Sequence, residues 1–485
     1  MTERKLVTLL RAYGLSLLAR AADAATIVVV FGELSVAEAG VFSHATAIAA
    51  FFWVALDIGV SEVLLRRHAQ TRQPLLGSVW FAVRMRAPVI MVSAVVLLYA
   101  LSTGRLSSGA SWAVAFSCVA QVLSLPLRFY IQVWRGSGRQ SLANGYLAAE
   151  AVVRLSTAST VAALANPAEA WQVAGAWWMG QALLSVTCIA HAVFSTGEAV
   201  PRGAMRLMGR EHQAMARSAI SFLALAVLGV IQNRLDWLLV DGLVGGAEVA
   251  NYALANRVYE ILVAAVGVGV VTTYPWTCRR IAGGEEDIAE RVGRAGLAMF
   301  GITAAFVGGV WIPAVLETLW DGKYAAGAEL SALMIPVAAA STLVMLGYYE
   351  MLARGLERIT LSVAAAATIV QVGVCLSTIE EMGAMGAVLG MASLSVVSLL
   401  GYTLWGARQG LIAFGDVTRV ASYVGGVSLG WVAARAEAIP VIWGGLAVAV
   451  LGASLGWLLI LGPPERAWIG RRLQVRIGVG GGTEA

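Results

Sequence analysis

LSVAEAGVFSHATAIAAFFWVALDIGVSEVLLRR, residues 34–67, decides the reading of this chain. A short stretch of small residues ends in Ala37-Glu38, an apolar run follows, and Arg66-Arg67 closes it. A helical run of about 20 apolar residues crosses the hydrocarbon core of a bilayer. LVGGAEVANYALANRVYEILVAAVGVGVVTTYPWTCRR, residues 243–280, repeats the plan. Its small-residue stretch ends in Ala247-Glu248, an aromatic again follows four residues after the glutamate (Phe42, then Tyr252), and Arg279-Arg280 closes the helix. Two copies in the same orientation imply a parallel duplication with a substrate path between lobes.

The basic residues extend this into a map. Of 34 Lys and Arg, 24 fall in every second gap between apolar runs, from Arg4, Lys5 and Arg11 to Arg466, Arg471, Arg472 and Arg476. The intervening gaps hold Arg105, Lys323 and Arg435. Basic residues resist translocation, so the rich gaps are cytoplasmic and both termini are expected inside. The apolar runs give about fourteen spans in an all-α polytopic membrane protein. The third is expected at 80–101, the thirteenth at 418–436 and the fourteenth at 440–462. The expected organisation is a six-helix lobe over 1–194, a cytoplasmic interfacial helix over 195–217, a second six-helix lobe over 218–405, and an added helix pair with a basic tail over 406–485. The basic start lacks a cleavage site after a short apolar core, which reads as an uncleaved first span. A second interfacial segment is expected after Pro463-Pro464, with Trp468 and Leu473 among arginines.

Composition narrows the function classes. The chain is 59% hydrophobic and 13% charged, against about 25% charged in soluble domains, so most of its surface faces lipid. The net charge of +5 sits in gaps that meet anionic headgroups, and no basic stripe on a soluble domain points to nucleic acid. The four cysteines have no CxxC spacing and the four histidines (His44, His68, His191, His212) no HExxH spacing. Neither a metal site nor a cofactor is expected. Glycine pairs at Gly386/Gly390, Gly426/Gly430 and Gly452/Gly456 read as helix-packing faces, and Pro126 and Pro336 as kinks.

Charges inside the spans are the site candidates, because each is costly in hydrocarbon. They are Arg20 and Asp23, Asp57 and Glu62, Arg128, Glu150 and Arg154, Arg234 and Asp236, and Arg257 and Glu260. Arg20/Asp23, Glu150/Arg154 and Arg257/Glu260 have spacings at which each pair neutralises itself on one helix face. Arg234 and Asp236 stand about 200° apart on a straight α-helix, so Arg234 needs another partner, an anionic ligand among the options. Asp57 has no basic residue at that spacing and reads either as a coupling-cation site or as a helix cap near the outer face.

The 34–67 stretch, Arg20, Phe31-Gly32, Asp57-Ile58-Gly59, Gly136-Ser137-Gly138-Arg139, Arg234-Leu235-Asp236 and Trp320-Asp321-Gly322-Lys323-Tyr324 together resemble the polysaccharide-exporter or O-antigen flippase family, within the superfamily that also holds multidrug exporters and lipid II flippases. The resemblance covers most of residues 1–410. It implies transport of an oligosaccharide on an undecaprenyl-pyrophosphate carrier from the inner to the outer leaflet of the bacterial cytoplasmic membrane. It also implies two rocking lobes, work beside polysaccharide-assembly partners, and a helix pair after Gly406 that holds the lipid tail. Guanidinium forks suit a pyrophosphate, which makes Arg234, Arg20, Arg154 and Arg257 its expected ligands. Asp57, Asp23 and Asp236 are then the expected residues for a coupling proton or sodium ion. A cation-coupled drug exporter is the alternative. A membrane-embedded polymerase or ligase would need a sizeable external loop, and no external gap supplies one, so the chain is not expected to be an enzyme.

Overall fold

Lipid offers no partner to a backbone N–H or C=O, so a spanning segment satisfies its own peptide groups as a helix. The computed structural model describes residues 3–57, 109–165, 168–196, 223–282, 288–409, 414–435, 441–461 and 465–469, with isolated positions between 61 and 95. Among the described residues all regular structure is helical. The helices are α1 (Glu3–Glu33), α2 (Val36–Asp57), α3 (Gly109–Gly136), α4 (Gln140–Leu164) and α5 (Ala170–Thr196); α6 (Leu223–Leu243); and α7 (Gly246–Ala282), α8 (Ile288–Leu319), α9 (Ala325–Ala353), α10 (Glu357–Met382), α11 (Ala384–Arg408), α12 (Phe414–Arg435) and α13 (Val441–Leu455). Twelve of these described helices are long and apolar enough to cross a membrane. Of the fourteen expected spans, the thirteenth is present as α12, whose Asp416, Thr418 and Arg419 make it less apolar than its neighbours. The third lies almost wholly outside the described residues, as do the 195–217 segment beyond Thr196 and Leu473. Trp468 falls in a short helical stretch at 465–469.

The repeated stretches take equivalent places. Ser35 Oγ accepts the Glu38 N–H at 3.2 Å, as the Ser-x-x-Glu pattern at a helix start predicts. The Glu38 carboxylate reaches further and accepts the N–H of Ala170 at 2.7 Å, at the first turn of α5. In the second copy the Glu248 carboxylate stands beside Gly383, where a methyl group would meet it at 3.6 Å, immediately before α11. Phe42 and Tyr252 are both buried; Phe42 packs on Trp177 with ring centroids 5.4 Å apart.

The chain forms two compact units, Met1–Arg257 with Glu357–Leu394, and Val258–Leu356 with Ser395–Ala485. In the first, α1 lies along α4, α3 along α5, α2 against α3, and α6 against α10. Asn144 Nδ2 on α4 donates to the Ala12 carbonyl at 2.9 Å, and Tyr130, Trp134 and Tyr146 stack in series. Gly386 and Gly390 bring α11 against α10: a methyl at Gly386 would meet the Thr378 backbone at 2.7 Å, and one at Gly390 would run into Cys375 Sγ.

In the second unit α8 packs on α9, α12 and α13. Gly426 and Gly430 receive Leu455 and Leu451, and Gly452 meets Thr303 of α8. Tyr423, fully buried, shares a 2.6 Å hydrogen bond with Thr303 and donates to the Met299 carbonyl at 3.0 Å. The added helix pair is thereby seated on α8 by small-residue packing and a buried tyrosine. The 320–324 loop turns through Asp321 (φ 48°) and Gly322 (φ 77°), which delivers Tyr324 to a buried position edge-on to Trp320 at 5.3 Å. Burial there pushes the Tyr324 phenol up.

Candidate functional site

Two polar clusters sit within the spans of the first unit. The first joins α1, α3, α4 and α5. Arg154 Nη2 donates to Asp23 Oδ1 at 2.8 Å, and Arg128 Nη2 to Glu150 Oε1 at 2.6 Å. The guanidinium of Arg154 lies over Trp177 at 5.4 Å and that of Arg128 over Trp53 at 6.0 Å. Glu150 is fully buried and its second carboxylate oxygen has no partner among the described residues.

This arrangement corrects the expectation that Arg20/Asp23 and Glu150/Arg154 neutralise themselves along their own helices. Each acid is met from a neighbouring helix. Close packing of α1 on α4 brings a guanidinium fork directly to a carboxylate, whereas two side chains on one helix must both bend along its surface to meet. Arg20 is left exposed on α1. Asp57, the last described residue of α2, accepts the N–H and hydroxyl of Ser61, while Arg86 donates to its backbone carbonyl.

The second cluster centres on α6. Residues Ile231–Leu235 form a π-helical turn, a distortion common at functional positions. Arg234 lies in this turn and Asp236 directly follows it. Arg234 also meets the expected need for another partner. Its guanidinium lies over the Trp237 ring at 4.5 Å and donates to the Asn233 carbonyl at 3.2 Å. Arg257, on α7, lies over the same indole at 5.2 Å. Two guanidinium groups thus share one tryptophan that is 1% exposed.

Asp236, also 1% exposed, accepts the Trp237 N–H at 2.9 Å and the Tyr252 hydroxyl. Behind it, Gln232 Nε2 donates to Thr368 Oγ1 at 2.8 Å and to the Ala364 carbonyl at 3.1 Å. Gln371 Nε2 donates back to the Gln232 carbonyl at 2.8 Å. Asn256 is fully buried with neither amide atom paired among the described residues. Polar contacts therefore tie α1 to α4 through Asp23–Arg154 and α6 to α10 through Gln232–Thr368. Trp237 and Tyr252 were not among the residues singled out for the site. The three-residue spacing of Arg234 and Trp237, one helical turn, was the available signal for Trp237.

No family model and no curated protein matches the sequence. Solved structures do. The chain is similar to the lipid II flippase MurJ in an inward closed conformation, with TM-score 0.66 and 9% identity over 96% of this chain and 99% of that one. It is similar to a multidrug resistance MATE family transporter of the MOP superfamily in an inward-facing conformation, with TM-score 0.59 and 16% identity over 82% of this chain and 94% of that one. It is also similar to a MOP superfamily transporter from Pyrococcus furiosus described as having a binding pocket of reverse polarity, with TM-score 0.54 and 15% identity over 83% of this chain and 95% of that one. The fold is that of MOP superfamily transporters, an all-helical multi-pass membrane fold.

Proposed function

We propose that this protein carries a lipid-linked oligosaccharide, bearing a pyrophosphate, from the inner to the outer leaflet of a bacterial cytoplasmic membrane. It does so by alternating access between two six-helix repeats, 1–194 and 218–405, joined by 195–217. The observation that carries this reading is the convergence of Arg234 and Arg257 on Trp237 inside the spans. Two guanidinium groups converging on one indole inside the spans suit a pyrophosphate, and they would repel a cationic drug. The likeness to the lipid II flippase supports it too, since that alignment runs over 96% of this chain, C-terminal pair included.

In this reading Arg234 and Arg257 receive the pyrophosphate, with Arg20 and Arg154 as further cationic contacts. Asp236, buried on α6 beside this pair, is the coupling-ion residue, since Asp23 is neutralised by Arg154. The exposed apolar face of the added pair (Leu429, Val432, Trp443 and Leu446) meets the lipid tail. The test is deletion of the gene followed by leaflet assignment of the lipid-linked repeat unit. Accumulation on the inner leaflet, with surface polysaccharide lost, is the expected result; a unit that reaches the outer leaflet and stays unpolymerised overturns it. Cation-coupled drug export is the second reading, favoured by the buried carboxylate of Asp236 and the likeness to the multidrug transporters. Under it, deletion raises drug sensitivity and leaves the polysaccharide intact.

A further inference from the structure

The outer ends of the two repeats are joined by a contact that the substrate reading does not use. His44 Nδ1 on α2 stands 2.7 Å from Asp241 Oδ2 on α6, each side chain 33% exposed. The two helices open different repeats, and by the basic-residue map both residues lie toward the outside. At the same end Gly40 of α2 meets Gly246 of α7 backbone to backbone, so closely that a Cβ at Gly40 would run into the Gly246 carbonyl. Asp241 is two residues from the end of α6, where the helix dipole also favours a positive charge. An imidazole is the side chain whose ordinary titration falls between about pH 5 and 8, and partial exposure lets protons reach it.

We propose that His44 and Asp241 form a proton-operated latch, which holds the outer end closed while His44 is protonated and releases it as the imidazole loses its charge. The Gly40–Gly246 contact supplies a close-packed seam that opens only when the pair parts. Toward this end the packed elements also carry Glu33 at the end of α1, Cys118 on α3, Glu169 before α5, Asp236 on α6, and Glu248 and Tyr252 on α7. Glu38, on the same helix as His44, is committed to the Ala170 N–H, and Glu169 to Trp171 Nε1. The latch is independent of which substrate is moved.

The test is a distance measurement between spin labels at Ala37→Cys and Ala247→Cys, exposed positions at the starts of α2 and α7, after replacement of the four native cysteines. From pH 5.5 to 8 the open-to-closed ratio is expected to rise roughly fivefold, the size that a half-exposed ion pair supports. His44→Lys should stay closed across the range, and His44→Gln and Asp241→Asn should sit at the open ratio throughout. If one of these variants fails to fold, the others carry the same comparison. An unchanged ratio in the parent protein, or full pH dependence retained in His44→Gln or Asp241→Asn, overturns the proposal.

Discussion

Asp23 is held by Arg154 at 2.8 Å across two helices, and not by Arg20, one turn away on its own helix. The charges of the first repeat therefore brace α1 against α4. Arg154→Ala leaves Asp23 without its cation in a half-buried setting and should destabilise the protein by about 2 kcal/mol, below the range for fully buried pairs. Arg20→Ala should be close to neutral for stability. Thermal unfolding in detergent compares the two. Equal losses would show that Arg20 also carries structure.

Glu38 accepts the Ala170 N–H at 2.7 Å, across from α2 to the start of α5. Glu38→Ala removes the acceptor at the start of α5 and should cost about 1 kcal/mol, as loss of a helix-start acceptor does. Glu38→Gln should recover part of that through its amide oxygen. Unfolding midpoints of the two variants measure this, and an Ala variant as stable as the parent would remove the capping role.

The glycines of α11 separate two kinds of close contact. Gly390→Ala meets the side chain of Cys375, so Cys375→Ala should restore its stability. Gly386→Ala meets the Thr378 backbone, which no side-chain change can withdraw, so it should stay destabilised by about 1 to 3 kcal/mol, the range for overpacking. Stability of the two double variants, each with Cys375→Ala, is the measurement.

Reporter fusions test the orientation that the arginine alternation implies. Fusions at Arg66, Arg210, Arg291 and Arg472 should report cytoplasm, and those at Ser108, Asn166 and Glu381 the outside. Two or more reversed positions beyond the first span would discard the map.

Much of the fold is legible in the apolar runs, because a span must be long and its backbone self-satisfied wherever it packs. The matching aromatics that follow the two Ala-Glu stretches, Phe42 and Tyr252, are both buried. The partners of the charges are another matter. Sequence spacing reveals neighbours along one helix, while Asp23, Glu150 and His44 all find theirs on other helices, brought together by packing. The π-helical turn at Ile231–Leu235 leaves no mark in the apolar pattern. Trp237 reads as one more apolar residue until two guanidinium groups are seen above it.

The account rests on the arginine pair at Trp237, and transport by variants that remain inserted and abundant tests it most directly. The measurement is the outer-leaflet fraction of lipid-linked repeat unit in cells whose sole copy is Arg234→Ala, Arg257→Ala or Arg234→Lys. The expected result is loss of transfer in both alanine variants and partial transfer in Arg234→Lys, where a point charge replaces a bidentate fork. Full transfer by well-expressed Arg234→Ala and Arg257→Ala would contradict it and return both arginines to a structural role on the Trp237 ring.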